Sequence, residues 1–577
     1  MYYLGVFGGN GPNPAAAILQ KGKLIAFAEE ERFSRIKNSP SHLPIKSILF
    51  CLNFAKIRAN QLTAIGIAWN SKKYIHEQPK LLKRIRLEYN DTDEYNQLHE
   101  NKLLNSFNPK MITESLRFSL AKSKQYIDVK KIVFLDHHLC HAASAFYASN
   151  FKKAAVFTID GSGEENCTVE WLANNQKFKK IRTHDLPNTL GGYYGTFTEF
   201  LGFRSDSEEG KLMGLAPYGK FDETIQSKLS NFLKFDVRDG SYSIDPRFRF
   251  YGNRTFNSKF TDLLVDQFGS NRAPFEPITE YHKDLAFNVQ WRLEQVVSSM
   301  INFRIKKENL SDVCLAGGVS MNCKMNGIIS KLNNVKNLYV QPASSDNGTA
   351  LGAACLLSRD DKNKIFNIMP HAYWGPEYND NEILDAINEA KLSYSKPKNL
   401  TSIIAEDLNS GLIVGWLQGR SEVGARALGG RSILANPLIL DMRDKLNINV
   451  KHRENWRPFC PSITEETFSK YFGHNKSADH MIIAYDIKRE FRKILPSAVH
   501  IDGSVRAQAV KKSTNPRFHN LLVEFGKLTG HEVLINTSFN IQGEPIIETP
   551  RDALRCFGGT GIDVLVIGNY VVRKFND

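Results

Sequence analysis

No stretch of the 577-residue chain approaches the roughly 20 consecutive apolar residues that a membrane helix needs, so a helical membrane protein is excluded. The opening MYYLGVFGG lacks the basic leader and long apolar segment of a secretion signal, and reads as a first β-strand. The eight cysteines (Cys51, Cys140, Cys167, Cys314, Cys323, Cys355, Cys460 and Cys556) contain no CxxC pair and no regular spacing. That rules out a thiolate zinc site or a disulfide scaffold, and predicts reduced core thiols in a cytoplasmic protein. The densest basic stretch, KKYIHEQPKLLKRIRLEYN from Lys72 to Asn90, lacks the aromatic interleaving of a base-stacking platform and carries Glu77 and Glu88. It predicts a solvated helix face and disfavours nucleic acid as a partner.

What is present points to a soluble globular protein of several cores. Hydrophobic residues make up 42% and charged residues 24%, ordinary proportions for a chain long enough to bury two to four cores. The richest segment is KIVFLDHHLCHAASAFYASNFKKAAVFTIDGSGE, Lys131 to Glu164. Its His137 and His141, four apart, share one helix face. A following apolar strand, Ala154 to Ile159, delivers Asp160 to its C-terminal end, ahead of Gly161, Ser162 and Gly163. Two imidazoles and a carboxylate at a strand end can hold a divalent metal, and a glycine-rich turn can approach a phosphate.

The rest of the first half repeats that grammar. A strand–turn–strand covers YYLGVFGG, AAAILQ and LIAFAEEERFSR, followed by a helix from about Pro44 to Ala55. Residues 72–125 are polar, helical and poor in glycine, and read as an insertion. A long amphipathic helix is predicted from Lys283 to Arg304, with Leu285, Val289, Leu293, Val296, Val297 and Met300 on one stripe. VCLAGGVSMN is a buried strand breaking into Gly317 and Gly318, and LYVQPASSDNG places Asp346 in a turn after a further strand. Several strands ending in glycine or acidic turns describe a duplicated α/β domain with a nucleotide cleft. A polar seam with Pro370, Gly375 and Pro376 divides the chain into residues 1–369 and 370–577.

Beyond the seam the residues suit phosphate chemistry, which accounts for the net charge of +14. GWLQGRSEVGARALGGRSILANP carries Arg420, Arg426 and Arg431 among five glycines, and KHRENWRPFCPS, HIDGSVRAQ and NTSFNIQGEPI follow. Arginine offers planar bidentate donors, and glycine leaves backbone N–H groups open to a phosphate.

These segments, together with AEEERFSR, EEGKLMGLAPYG, LAGGVSMNC and QPASSDNG, resemble the nodulation-type O-carbamoyltransferase family, which includes carbamoyltransferases of cephamycin, novobiocin and tobramycin. The match runs in order from Ala28 to Ile547. The resemblance implies an N-terminal duplicated actin-like domain, related to the tRNA threonylcarbamoyl transferases, and a C-terminal YrdC-like α/β domain. The C-terminal domain is expected to make carbamoyl-adenylate from carbamoyl phosphate and ATP, the latter with Mg. Arg426, Lys451, Arg506 and Ser538 would hold the phosphates, with Asn536 close by. His137, His141, Asp160 and Asp346 match the family's metal positions, with Fe(II) the usual ion and Mn or Zn compatible with the ligands. Lys211, Gly163, Gly317 and Gly318 would lie near the nucleotide. The acceptor is expected to be a hydroxyl or amine of a small molecule such as a natural product or sugar, and family analogy points to a homodimer.

The chain departs from the family on the acceptor side. Its first loop, GPNPAAAIL, has Pro12 and Asn13 where a His-Asp pair is usual, and ERFSRIKN ends in Asn38 where His is usual. Neither Pro nor Asn accepts a proton at neutral pH. The base then comes from elsewhere, or the acceptor needs none, or transfer is impaired. Three readings follow: a small-molecule carbamoyltransferase, a tRNA-modifying carbamoyl enzyme, and a nucleotide-binding protein that has lost transfer.

Overall fold

A computed structural model describes residues 1–9, 11–88, 100–102, 104–252, 258–359, 367–473 and 478–574. They form two compact units, one of Met1–Glu30 with Asn38–Pro370, the other of Glu31–Lys37 with His371–Asp577. Among the described residues, no helix is long and apolar enough to cross a membrane.

The first unit holds two five-stranded sheets of one design. In the first, β1 (Tyr2–Phe7), β2 (Ala15–Gln20) and β3 (Lys23–Glu29) form an antiparallel meander, and β4 (Ala64–Ile67) and β5 (Ile132–Phe134) extend it in parallel from β1, giving the order β3-β2-β1-β4-β5. In the second, β6 (Lys153–Ile159), β7 (Asn166–Asn174) and β8 (Lys177–Asp185) form the meander. After a hairpin of β9 (Leu233–Asp236) and β10 (Ser241–Ile244), β11 (Asp312–Ala316) and β12 (Asn337–Val340) extend it in parallel from β6, giving β12-β11-β6-β7-β8. Order and strand directions are the same in both, so the unit is a structural duplication. The founding strands β1 and β6 read as nearly continuous apolar runs because both their faces are covered.

Two glycines set how closely helices approach the first sheet. A Cβ on Gly5 of β1 would lie 1.8 Å from the Ala350 carbonyl oxygen, in the helix Asn347–Ser358. A Cβ on Gly352 of that helix would lie 1.8 Å from the Cys140 oxygen, in the helix His137–Ala148. Strand, helix and helix therefore stack at backbone contact. This clamps together the two helix starts that carry His137, His141 and Asp346.

Element boundaries differ from expectation in three places. The third strand stops at Glu29 and passes into a short helix, Glu30–Ser34, instead of running on through the arginines. Glu30 Oε2 accepts bonds from the Ser47 N–H at 2.8 Å and its hydroxyl at 2.9 Å, capping the helix Ile45–Phe54, and these buried bonds draw the chain out of the sheet. The long helix extends to Glu280–Glu308, ending at Asn309 in the left-handed region (φ 49°). The basic stretch forms the helix Ser71–Leu87, which buries Tyr74, Gln78, Leu82 and Ile85 along one side, with most of its basic side chains on the other. Of the predicted insertion, the helix Pro109–Lys122 is also present, while residues 89–99 and 103 lie outside the described residues.

The second unit is built on a seven-stranded mixed sheet, order β18-β15-β19-β14-β13-β20-β21. Its strands are β13 (Val414–Leu417), β14 (Arg431–Ala435), β15 (Cys460–Thr464), β18 (Gln508–Val510), β19 (Val533–Ser538), β20 (Val564–Ile567) and β21 (Tyr570–Arg573), while β16 (Tyr485–Asp486) and β17 (Ser504–Val505) form a separate ribbon. The helices Leu400–Asn409 and Pro516–Thr529 contribute Ile404, Leu408, Phe518, Leu521, Leu522 and Phe525 to a core that includes Trp416, Leu434 and Leu534. Glu31–Lys37 is held in this unit by arginines on carbonyls. Arg32 Nη2 donates to Gly424 O at 2.8 Å, and Arg35 to Ile546 O at 2.6 Å and Pro545 O at 3.1 Å.

Candidate metal centre and anion site

Four side chains from three elements meet in the first unit. Asp136 caps the helix His137–Ala148 through Leu139 N–H at 2.8 Å, and Glu164 accepts His137 N–H at 3.0 Å, so the helix start is fixed from two sides. His137 Nε2 and His141 Nε2 stand 3.2 Å apart. Asp160 Oδ2, at the end of β6, lies 2.8 Å from His141 Nε2 and 3.6 Å from His137 Nε2. Asp346 Oδ1, at the N-cap of Asn347–Ser358, lies 3.5 and 3.7 Å from the same two nitrogens, and makes no capping bond. One ligand atom from each of the four falls within 4.8 Å of the others.

The surroundings orient these atoms. His137 Nδ1 faces the Ala68 carbonyl at 3.1 Å, which places a proton there and turns Nε2 towards the two carboxylates. Asp160 Oδ1 accepts Gly161 N–H at 2.7 Å and Gly318 N–H at 3.2 Å, turning Oδ2 towards the histidines, where it is buried and otherwise unpartnered. Burial disfavours charge on both groups, but the facing partners outweigh it. They hold the His137 imidazole well above its ordinary range and the Asp160 carboxyl well below its own. His138, by contrast, is pushed down to about 3 by burial and its two histidine neighbours, and sits neutral between Thr158 Oγ1 at 2.8 Å and Asn166 O at 2.9 Å. Two imidazole nitrogens and two carboxylates, converging, buried and ordered by outer partners, fit a divalent metal ion.

The predicted nucleotide residues separate on inspection. Gly317 sits at φ 92°, where an added Cβ would lie 2.3 Å from Ile159 O, and its neighbour Gly318 supplies an N–H to Asp160. Gly163 is buried, and a Cβ there would meet His138 Cδ2 at 2.8 Å. It is glycine for packing, and Gly161 is the residue of that turn that opens to solvent. Lys211 is 8% exposed and pairs with Glu208 at 2.8 Å. The substituted loop adjoins the His–Asp cluster. Asn13 takes φ 61°, its N–H donates to Asn38 O at 2.7 Å, and its Nδ2 donates to Ser345 Oγ at 3.2 Å, one residue before Asp346.

In the second unit, one face of the central strands is polar at the end beyond the helix core. Asn536 and Ser538 share that face of β19, and Cys460 lies directly across from Asn536. Lys451, 3% exposed, reaches Ser538 Oγ at 3.3 Å, Asn540 O at 3.0 Å and Asn540 Oδ1 at 2.9 Å, as well as the Ser538 carbonyl. Arg506 Nε lies 3.1 Å from Cys460 Sγ. Among the described residues Lys451 makes no ion pair, and its charged neighbours include Arg453, Arg457 and Lys37. Burial first, then Arg453, pushes its ammonium well below the ordinary value. Arg453 itself is pushed down to about 9 by burial and Arg457. Glu454, 3.8 Å from Arg457, is the acid beside these groups, and the excess of positive charge around buried Lys451 suits an anion.

Lys451, Ser538, Asn536 and Arg506 thus come together, with Arg426 two residues before Leu428, whose carbonyl bonds to Gln508 on the same face. The other arginines of the Gly415–Pro437 segment serve the fold. Arg431 is fully buried, donating to Gln418 O, Gly419 O and Gly430 O and pairing with buried Glu548 at 3.3 Å, while Arg420 donates to Gly375 O and Trp374 O. Buried Glu422 gathers the N–H groups of Leu428, Gly430 and Arg431. Sequence reasoning missed Glu164 and Gln508, which carry no spacing signal, and Arg453, which stands in plain view two residues after Lys451.

Family models describe both halves: carbamoyltransferase N-terminus over residues 12–355 and carbamoyltransferase C-terminus over residues 405–574. A chain with this buried four-ligand cluster and this cationic sheet face belongs to the carbamoyltransferase family, and it is an enzyme, a carbamoyltransferase. It is similar to an uncharacterized protein of Synechocystis sp. (34% identity, over 97% of this chain and 95% of that one) and to the nodulation protein NolNO of Sinorhizobium fredii (32%, over 97% and 78%). It is also similar to the 3'-hydroxymethylcephem-O-carbamoyltransferase of Amycolatopsis lactamdurans (34%, over 45% and 48%). Among solved structures, (R)-2-hydroxyglutaryl-CoA dehydratase component A of Acidaminococcus fermentans matches with TM-score 0.34 and 14% identity over 63% of this chain and 99% of that one. Full-length HypF in its phosphate- and nucleotide-bound form matches with TM-score 0.33 and 13% identity over 63% and 56%.

Proposed function

We propose that this chain is an ATP-dependent carbamoyltransferase working in two steps on two sites. The second unit, in this reading a YrdC-like domain, binds carbamoyl phosphate and Mg-ATP. Carbamoyl phosphate loses inorganic phosphate to water, and the carbamate oxygen attacks the α-phosphorus of ATP with loss of pyrophosphate, leaving carbamoyl-adenylate. Lys451, Arg506 and Arg426 neutralise and align the phosphates, and Ser538 donates its hydroxyl, so that catalysis is positioning and charge compensation. The observation that carries this reading is Lys451, a buried amine held by neutral oxygens beside Arg453 and Arg457, whose ammonium form burial disfavours and an incoming anion would restore.

The first unit, in this reading an actin-like domain, transfers the carbamoyl group to a hydroxyl or amine of a small molecule. His137, His141, Asp160 and Asp346 would hold a divalent ion, with Fe(II) expected from the family, which when bound supplies a Lewis acid for the carbamoyl carbonyl. His137 and Asp160 are pre-oriented for it by Ala68 and Gly318. Asn13 and Asn38 keep the acceptor side free of a proton-accepting side chain at those positions, which favours an acceptor that needs no strong base. That pair alone favours a second reading, in which the chain retains the first step and has lost transfer.

Purified protein given carbamoyl phosphate and ATP without acceptor is expected to release phosphate and pyrophosphate, requiring both substrates, with Arg506→Ala at least about 100-fold slower. Release unaffected by the substitution, or no release while ATP still binds, contradicts the reading.

A further inference from the structure

We infer that the side-chain oxygen of Asn536 recognises the NH2 of the carbamoyl group and so sets the second unit's preference for carbamoyl phosphate; the inference rests on the carbamoyl-phosphate reading of that site. Asn536 is 1% exposed, and its Oδ1 has no hydrogen-bond partner among the described residues. Which end of the amide is the oxygen follows from a chain of bonds anchored on a main-chain carbonyl. Leu428 O can only accept, so the Gln508 amide turns its Nε2 to it, at 2.9 Å. Gln508 Oε1 then faces inward and accepts from Ser462 Oγ at 2.6 Å. Asn536 must present Nδ2 to that pair, at 2.9 Å from Ser462 Oγ and 3.2 Å from Gln508 Oε1. Its oxygen is left pointing away with no donor.

Buried carbonyl oxygens are almost always paired, and leaving one bare costs stability unless a ligand supplies the donor. Here a network of three side chains holds the oxygen bare. The same face carries the cations that would take a phosphate: Ser538 with Lys451 is two residues along the strand, and Arg506 lies on Cys460, the cross-strand neighbour of Asn536. A ligand spanning these groups carries an anion at one end and a neutral hydrogen-bond donor at the other. Carbamoyl phosphate is such a molecule, with an amide-type NH2 that donates and does not accept. Acetyl phosphate, of the same size, offers a methyl group there. Carboxy phosphate offers oxygen, which repels Asn536 Oδ1 once ionised.

The test uses stable isosteres, phosphonoacetamide and acetonylphosphonate, titrated calorimetrically into the full-length protein. Wild type is expected to bind the amide about 10- to 100-fold more tightly than the ketone. Asn536→Ala is expected to bring the two within about 3-fold by weakening the amide alone, while Arg506→Ala weakens both. Should the alanine variant not fold, as judged by its thermal unfolding, Asn536→Ser serves instead, since serine keeps a small polar group inside the sheet. A variant that retains the preference, or one that weakens both ligands equally, overturns the inference while leaving the carbamoyl-phosphate reading standing. A wild type that binds neither ligand overturns both.

Discussion

At the scale of single residues, Lys451 makes the account testable without substrate. Its ammonium is held well below the ordinary value of 10.5 by burial and by Arg453. The folded pKa is therefore lower than the unfolded one, and between the two the unfolded chain binds more protons. Stability of the ligand-free protein should rise with pH across that window and level off above it. Denaturant unfolding at a series of pH values checks this, with Lys451→Met giving a flatter profile. Added phosphate should stabilise the wild type most at the acid end, where the ammonium is charged. Residues of this kind were legible only in part. His137, His141 and Asp160 announce themselves by spacing and by a strand end. Asp346 reads as a turn residue after a strand and Arg426 as one arginine among glycines, while the roles of both, and the choice of Lys451, Arg506 and Ser538, come from the resemblance to the family. Gln508 and Glu164, which act through hydrogen bonds to distant chain segments, leave no trace in a linear pattern.

At the scale of elements, close packing and buried pairing decide more than propensity. Gly5 and Gly352 sit inside a strand and a helix because backbone lies against them, a reason that no local pattern of residues carries. The arginines between Gly415 and Pro437 look alike on paper and serve different ends. Arg431 pins the start of β14 through five backbone carbonyls and Glu548, both partners of the ion pair being fully buried. Arg431→Met removes one half of that pair and strands the other. It is expected to destabilise the second unit by about 3–5 kcal/mol, measured by denaturant unfolding. An exposed arginine would cost a fraction of that. The strand end at Glu29 was missed for a related reason: Glu30 leaves the sheet to cap a helix that begins fifteen residues later in sequence, at Ile45.

At the scale of the molecule, the alternation of strands and glycine turns foretold a duplicated α/β unit, and the two sheets of matching order are that duplication. Periodicity suffices there because β1 and β6 must be apolar throughout. The assignment of Glu31–Lys37 to the second unit was not legible, since it depends on Arg32 and Arg35 finding carbonyls near Gly424 and Pro545. The central claim is that adenylation belongs to the second unit and transfer to the first. Mass spectrometric detection of carbamoyl-adenylate, formed from carbamoyl phosphate and ATP by wild type, His141→Ala and Lys451→Met, tests it most directly. The account predicts the adenylate from wild type and from His141→Ala in comparable amount, and none from Lys451→Met. Loss of the adenylate in His141→Ala, or its persistence in Lys451→Met, would contradict the division of labour.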